Sequence, residues 1–234
     1  VDAVVGHLLE DLSRPSANLS DDDCHTIRRA WAEARSAEEA RLELSPVEGL
    51  VHEGLATKRV REEGGGYRFV FQAVAEYLIY RYLAGPRPPG ADEVAYWIQR
   101  AAAGAFPEYR GAYAFLLRHW AVQGRLDRAG PLVEAAPDWS GDVLTAFLVE
   151  QARTGHVPGQ CSQAAAAAAR ALSRSGGERS AHALYAAGFQ LASTRFAPAS
   201  AAYFRASVEI YEALWAATPD NVGVGDSLGR ALNG

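Results

Sequence analysis

The side chains that most often do chemistry in proteins are scattered along this chain. The histidines and cysteines are His7, His25, His52, His119, His156, His182, Cys24 and Cys161. No set of them has the spacing of metal ligands, and Cys24 and His25 would point to different faces of a helix. A catalytic site needs several groups that converge in one cleft. The sequence therefore predicts neither a catalytic residue nor a metal site, and it identifies no cofactor-binding residue.

A run of three glycines, Gly64 to Gly66, is the next candidate for chemistry. A phosphate-binding loop requires G-x-x-x-x-G-K-[ST], and no Lys-Ser or Lys-Thr follows this run. Leu55–Arg61 before it and Tyr67–Phe71 after it have the features of short strands. The glycines are therefore predicted to form the turn of a β-hairpin, where positive φ angles are needed.

Helices are predicted on both sides of this hairpin. Ser20, followed by three aspartates, is an N-cap candidate, and Ser45-Pro46 starts another helix. From Gln72 to Ala84 the apolar residues return at helical spacing. The residues expected to be buried in these helices are Ile27, Trp31 and Ala34, then Val47, Leu50 and Val51, then Val74, Tyr77, Leu78, Tyr82 and Leu83. The order helix, helix, hairpin, helix is typical of a winged-helix domain. A further helix predicted over Asp2–Leu12 is either the first helix of this domain or the last helix of a domain upstream.

One segment of this domain resembles a known family. The string Arg68-Phe69-Val70-Phe71-Gln72, followed by Glu76-Tyr77-Leu78 and Tyr82-Leu83, is similar to the end of the winged helix in NACHT-type STAND ATPases. The resemblance covers the first third of the chain. It implies that ATP or ADP binds in a domain upstream, which the winged helix holds closed. Phe71 stands where the family often has a nucleotide-sensing His, and a phenyl ring cannot donate a hydrogen bond to a phosphate.

Charge separates this interpretation from an alternative, a winged-helix transcriptional regulator with a helical-repeat signal-receiving domain. In that alternative Lys58, Arg59 and Arg61 would contact DNA, together with Arg28 and Arg29. Residues 1–84 carry 15 acidic and 10 basic side chains, so they hold all of the net charge of −5. Since DNA affinity depends on neutralising phosphates, we expect no nucleic-acid partner.

The second part of the chain is predicted to be entirely helical. Gly85–Asp92 contains three prolines and breaks the helix pattern, which marks a domain boundary. The helices predicted after it are Asp92–Ala103, Glu108–Gln123, Asp127–Ala136, Trp139–Arg153 and Ser162–Ser173, followed by helices around Tyr185, from Pro198, and around Leu228. Antiparallel pairs of such helices form an α-solenoid.

The last helices resemble tetratricopeptide repeats. Gly188 and Gly229 follow small or apolar residues and lie 41 positions apart, compared with about 34 in the standard repeat. We therefore expect a lengthened second helix, with further repeats after residue 234. Helical spacing places the aromatic residues of this part mostly in the core. Some can instead line a partner-binding groove, and the candidates are Trp120, Trp139, Tyr203 and Tyr211.

The resulting expectation is a mainly α protein with a winged-helix domain (1–84), a helical arm (85–176) and tetratricopeptide-like repeats (177–234). The resemblance implies a regulatory and sensor segment of a STAND signalling ATPase, non-enzymatic by itself, acting in bacterial antiviral defence. Its partners would be a protein trigger or its own upstream nucleotide-binding domain, with oligomerisation on activation. No apolar run reaches the roughly 20 residues that span a bilayer, and two isolated cysteines predict a cytoplasmic protein. The absence of Met, even at position 1, indicates a fragment of a longer chain or a processed chain.

Overall fold

The predicted mainly helical fold with one small β-hairpin is confirmed by a computed structural model. The structure describes residues 1–36, 39, 43–59, 65–85, 90–102, 106–154 and 158–233, with only the backbone for 158–162. Twelve α-helices and two β-strands lie in these described ranges. None of the described helices is both long and apolar enough to cross a lipid bilayer.

The chain forms two compact units. The first comprises Val1–Pro89 and Ala103–Phe115, and the second comprises Gly90–Ala102 and Leu116–Gly234.

The first unit packs four short helices around the hairpin. In chain order these are α1 (Asp2–Leu8), α2 (Asp21–Glu33), α3 (Pro46–His52), β1 (Ala56–Lys58), β2 (Tyr67–Phe69) and α4 (Gln72–Leu83). The N-terminal part of α6 (Pro107–Val122) also belongs to this unit. The predicted caps are confirmed, because the hydroxyls of Ser20 and Ser45 accept hydrogen bonds from backbone N–H groups in the first turns of α2 and α3. The core includes Val4, Val5, Leu8, Leu19, Cys24, Ile27, Val47, Leu50, Ala75, Leu78, Ile79 and Leu83.

Three predictions for the helices of this unit are wrong in detail. Helix α1 ends at Leu8, not Leu12, and the Asp11 carboxylate accepts hydrogen bonds from Ser13 in the turn that follows. In α2, Ala34 is exposed and Trp31 is half-buried, since α2 ends at Glu33 and presents Cys24 to the core instead. Helix α3 ends at His52 and leaves Val51 40% exposed, although Val51 was predicted to be buried; Gly54 then adopts φ +69° and the chain turns into β1.

The buried face of α4 also differs from the prediction. Ala75 and Ile79 are buried, whereas Tyr77 is 44% and Tyr82 39% exposed. Tyr77 lies at the rim, where its ring centroid is 5.6 Å from that of Phe115. The sequence analysis placed Tyr77 and Tyr82 in the buried stripe because their rings are hydrophobic, but the helix buries Ala75 and Ile79 instead.

A backbone contact from the first loop fixes the hairpin in place. β1 and β2 pair antiparallel, with Thr57 opposite Arg68. Leu19 adds a bridge to Tyr67, through two N–H···O bonds of 2.8 Å. Gly66 makes this approach possible, because it adopts φ +84° and a Cβ there would lie 2.1 Å from the Leu19 carbonyl oxygen. Residues 60–64, including the predicted turn glycine Gly64, lie outside the described residues.

An ionic cluster connects α1 to the start of α2. The Asp23 carboxylate accepts hydrogen bonds from Ser20, from the His7 ring at 2.8 Å and from Arg14 at 2.9 Å. Burial opposes ionisation of this carboxyl, but the hydrogen bonds from Ser20 and His7 and the charge of Arg14 outweigh it and lower the pKa of Asp23 to about 2. The cluster therefore favours the folded state when Asp23 is ionised.

The second unit is built from stacked helices. They are α5 (Glu93–Ala101), the C-terminal part of α6, a 3₁₀ turn (Leu126–Arg128), α7 (Ala129–Ala135), α8 (Trp139–Arg153), α9 (Pro158–Ser175), α10 (Glu178–Ala192), α11 (Ala197–Ala217) and α12 (Val222–Leu232). Helix α8 packs on α9 and α10, α9 packs on α11, and α11 packs on α10 and α12. A helix in this stack therefore packs on the next helix in sequence and also on the helix after that one.

The boundaries of these helices agree with the predictions to within a few residues. The predicted helix over Asp127–Ala136 begins instead as the 3₁₀ turn, and the Ala-rich helix predicted over Ser162–Ser173 extends over Pro158–Ser175. Gly188 lies where α10 crosses α11, with 3.0 Å between a Cβ built there and the Phe204 ring. Gly229 differs, since a Cβ there would meet nothing within 4 Å.

We expect Gly66→Ala to lower the free energy of unfolding by about 3 kcal/mol, because it adds a backbone clash to the strain of a positive φ. Gly54→Ala is the matched control. It has a similar φ of +69° with open space around its Cβ, so we expect a loss of only about 1 kcal/mol. Urea unfolding followed by circular dichroism measures both, and equal losses would contradict the role of the Leu19 contact.

The Asp23 cluster predicts a pH dependence of stability. The pKa of Asp23 is 3.8 ordinarily and about 2 in the folded chain, so its contribution is complete above about pH 4 and is lost as the pH falls through about 2. We expect Asp23→Asn to lower the free energy of unfolding at pH 7 by about 1–2 kcal/mol, after allowance for solvent screening. The difference from the unsubstituted protein should shrink between pH 4 and pH 2.

Urea unfolding at a series of pH values tests this expectation. Asp22→Asn, in the same turn and exposed, serves as the control and should show no such convergence. A difference for Asp23→Asn that is as large at pH 2 as at pH 7 would refute the proposed ionic origin.

Candidate functional site

The exposed face of α10 lies between two hollows of the second unit. On one side is an acidic hollow of about 590 Å³, and on the other an aromatic hollow of about 750 Å³. Glu178, His182 and Phe189 are exposed on this face, and positions four and seven apart lie on one side of a helix. The two hollows therefore belong to one surface.

The acidic hollow is formed by α7, α8, α10, α11 and α12. Its charged and polar lining residues are Glu134, Asp138, Asp142, Thr145, Glu178, Arg179, His182, Gln190, Tyr211 and Ser227. Four carboxylates thus face a single guanidinium. In the part of the chain that the structure describes, Asp142 and Glu178 form no ion pair. The hollow therefore carries negative charge that the protein itself leaves unbalanced.

Glu134 and Arg179 form the wall of this hollow. Each side chain makes hydrogen bonds with backbone groups at the end of the helix that carries the other residue. The Glu134 carboxylate, at the end of α7, accepts hydrogen bonds from the N–H groups of Gly177, Arg179 and Ser180 at 2.8–3.2 Å, at the start of α10. The Arg179 guanidinium donates to the carbonyls of Val133, Glu134 and Ala136, at the end of α7. Within a helix, the N–H groups of the first turn and the carbonyls of the last turn have no hydrogen-bond partner. The exchange of side chains therefore joins α7 to α10.

Tyr211 forms the floor of the hollow. It is 2% exposed, and burial raises the pKa of its phenol, with the nearby charges of Glu178 and Glu134 acting in the same direction and a hydrogen bond with Ser227 opposing them. The phenol is thus kept neutral beside the carboxylates. It offers a polar but uncharged surface at the base of the hollow.

The aromatic hollow lies between α10, α11 and α12. Tyr185 packs against Phe189 and Phe204, with ring centroids 6.4 Å and 5.7 Å apart. Phe189 remains 67% exposed. Gly225, Asp226, Gly229, Arg230 and Asn233 of α12 line the opposite wall. An aromatic ring that is this exposed beside a concavity is typical of a contact surface.

Most of the aromatic residues predicted to line a partner groove lie in the core. Trp120 and Tyr203 are 0% exposed, and Tyr203 donates a hydrogen bond of 2.7 Å to the Leu148 carbonyl. Tyr211 is buried under the acidic hollow, and Trp139 is half-buried. Trp120 and Tyr203 therefore pack between helices and do not line a groove, whereas Tyr211 lines the floor of the acidic hollow.

Phe189 is the aromatic residue that the sequence analysis missed. It follows Tyr185 by four positions on the same helix, and the buried stripe of α10 instead consists of Ala181, Leu184, Ala187, Gly188 and Leu191. A helix with a complete aliphatic and small-residue stripe leaves an aromatic residue outside it exposed. That signal was present in the sequence.

The residues proposed for DNA contact do not form an isolated basic patch. Lys58 is exposed on β1, and the Arg59 backbone N–H donates to Gly66. Arg28 donates to Glu48 of α3, and Arg29 lies 4.0 Å from Glu33. Arg61 lies outside the described residues. Arg28 and Arg29 therefore have carboxylate partners.

Two further residues of the first unit lack the surroundings of a chemical site. Phe71 precedes α4 and is 68% exposed. Cys24 is buried, and this burial raises the pKa of its thiol to about 11, which makes it a poor nucleophile. Among the residues that the structure describes, no three His, Cys, Asp or Glu side chains are grouped as metal ligands.

We expect Glu134→Ala to lower the free energy of unfolding by about 2 kcal/mol, because it leaves N–H groups at the start of α10 without a partner. Asp138→Ala is the control in the same hollow. Its carboxylate is 98% exposed and pairs only with Arg179, so we expect a loss below about 1 kcal/mol. Urea unfolding compares the two variants, and equal losses would show that Glu134 is not a structural residue.

Comparison with known proteins provides no relative for this chain. No family model matches it, and neither a curated protein nor a solved structure matches it. Its function is therefore inferred from the surfaces described above.

Proposed function

We propose that this chain is a regulatory segment that recognises a protein through its helical array and passes the signal to a winged-helix unit. The observation that supports the proposal is the open face of α10, which carries the exposed Phe189 ring beside one hollow and the unpaired Glu178 carboxylate in the other. Surfaces of this composition bind proteins by combining an apolar anchor with charge complementarity.

The stacking of the second unit is consistent with such a role. Helices that contact the next helix and the one after it form an extended surface in solenoids. The Gly188 contact with Phe204 and the 21-residue α11 agree with a tetratricopeptide-like pair whose second helix is lengthened. Three helices, two paired strands and a further helix follow one another in the first unit, which is consistent with a winged helix, and Leu19 pairs with the second strand.

The proposal includes the relation to STAND ATPases. In that arrangement, the first unit would contact a nucleotide-binding domain elsewhere in the full-length protein, where ATP or ADP would bind. Binding of a trigger to the helical array would then release this domain, with oligomerisation on activation. The segment itself would have no catalytic role, and bacterial antiviral defence would be its setting.

Sequencing the coding region immediately upstream of Val1 tests the STAND relation. We expect an open reading frame that continues upstream and encodes G-x-x-x-x-G-K-[ST] after a predicted strand, within about 300 residues, which is the size of two domains. A start codon close to Val1, or an upstream region without that motif, would overturn the relation. A gel-shift assay with duplex DNA at physiological salt addresses the regulator alternative, for which we expect no specific complex.

A further inference from the structure

We propose that the exposed face of α10 binds a short segment of a partner protein in which basic side chains lie about five residues from an apolar side chain. The inference rests on the proposed function, because it specifies the chemistry of the segment that the helical array would recognise. It follows from the charge of one hollow, the exposed ring in the other, and the distance between them.

The acidic hollow specifies the basic part of the segment. Glu178 and Asp142 are exposed and unpaired in the described chain, whereas Arg179 is engaged with Asp138 and with the end of α7. A Lys or Arg side chain that entered the hollow would meet carboxylates from two helices. Because these groups stay close to solvent, the pairing requires little desolvation. A phosphate or carboxylate would be repelled there.

The aromatic hollow specifies the apolar part. Phe189 is 67% exposed and is supported by Tyr185, so its outer face is available and its position is fixed. Gly229 on the opposite wall leaves room beside it, because a Cβ there would meet nothing within 4 Å. Asp226 and Arg230 add no net charge to this hollow. A leucine or aromatic side chain would therefore be removed from water between Phe189 and α12, which is favourable by about 25 cal/mol per Å² of apolar surface.

The geometry of α10 determines the spacing between these parts. Glu178 and Phe189 are eleven positions apart, which corresponds to about 16 Å along a helix. An extended chain covers that distance in about five residues. A segment with both features at this spacing can occupy both hollows at once, and the linked contacts then strengthen each other.

Fluorescence anisotropy with a labelled peptide tests the inference on the whole chain. The probe is fluorescein-Gly-Lys-Lys-Ala-Ser-Ala-Ser-Leu-Gly, in which the leucine follows the second lysine by five positions. Two comparison peptides replace both lysines with glutamate or the leucine with serine. We expect the probe to bind with a Kd below about 1 mM and both comparison peptides to bind at least about fivefold more weakly.

Protein variants then assign the contacts to the two hollows. We expect Asp142→Asn combined with Glu178→Gln to weaken binding of the probe about tenfold, and Phe189→Ala to weaken it by a similar factor. The matched control is Glu209→Gln combined with Glu212→Gln, which changes the net charge equally at exposed positions of α11 and should alter the Kd less than twofold. All these side chains are exposed, so we expect every variant to keep its fold. Thermal unfolding of each variant checks this.

Several results would overturn the inference. The first is that the probe does not bind at 1 mM. The second is that the glutamate peptide binds as tightly as the probe. The third is that the double charge variant of the hollow and its control on α11 lose the same affinity for the probe. These failures would leave the upstream gene sequence unaffected and would reject only this segment chemistry. A missing upstream ATPase motif would instead reject the STAND relation while leaving a positive peptide result intact.

Discussion

The second unit depends on the exchange of helix-end partners between α7 and α10. Every helix leaves N–H groups at its start and carbonyls at its end without intrahelical partners. Here one carboxylate, from Glu134, and one guanidinium, from Arg179, satisfy both ends of a single junction. Because 43 to 46 positions separate these partners in sequence, the junction determines how the later helices stack on the earlier ones. The acidic hollow lies directly beside it.

The same junction explains why the hollow is acidic without being unstable. Glu134 is stabilised by three N–H groups and the helix dipole, and Arg179 neutralises the exposed Asp138. Asp142 and Glu178 remain close to water, so their charge is little desolvated. The structure therefore maintains an excess of negative charge next to an exposed Phe189. This combination distinguishes the face of α10 from the packed interfaces of the array.

The two units use their polar residues differently. In the first unit, the Asp23 cluster, the Arg28–Glu48 pair and the Leu19–Gly66 contact all connect elements of that unit to one another. These groups are satisfied internally, which agrees with a structural role. In the second unit, Asp142 of α8 and Glu178 of α10 form no ion pair in the described chain.

The sequence by itself determined the elements. Ser20 and Ser45 marked helix starts, prolines and glycines marked breaks, and apolar periodicity predicted nearly every helix, because these signals act over a few residues. Tertiary structure decided which aromatic residues are buried, since Trp120 and Tyr203 fill spaces between helices distant in sequence while Phe189 stays outside. It also brought Glu134 to the start of α10. Such pairings depend on how helices stack, and local spacing carries no information about them.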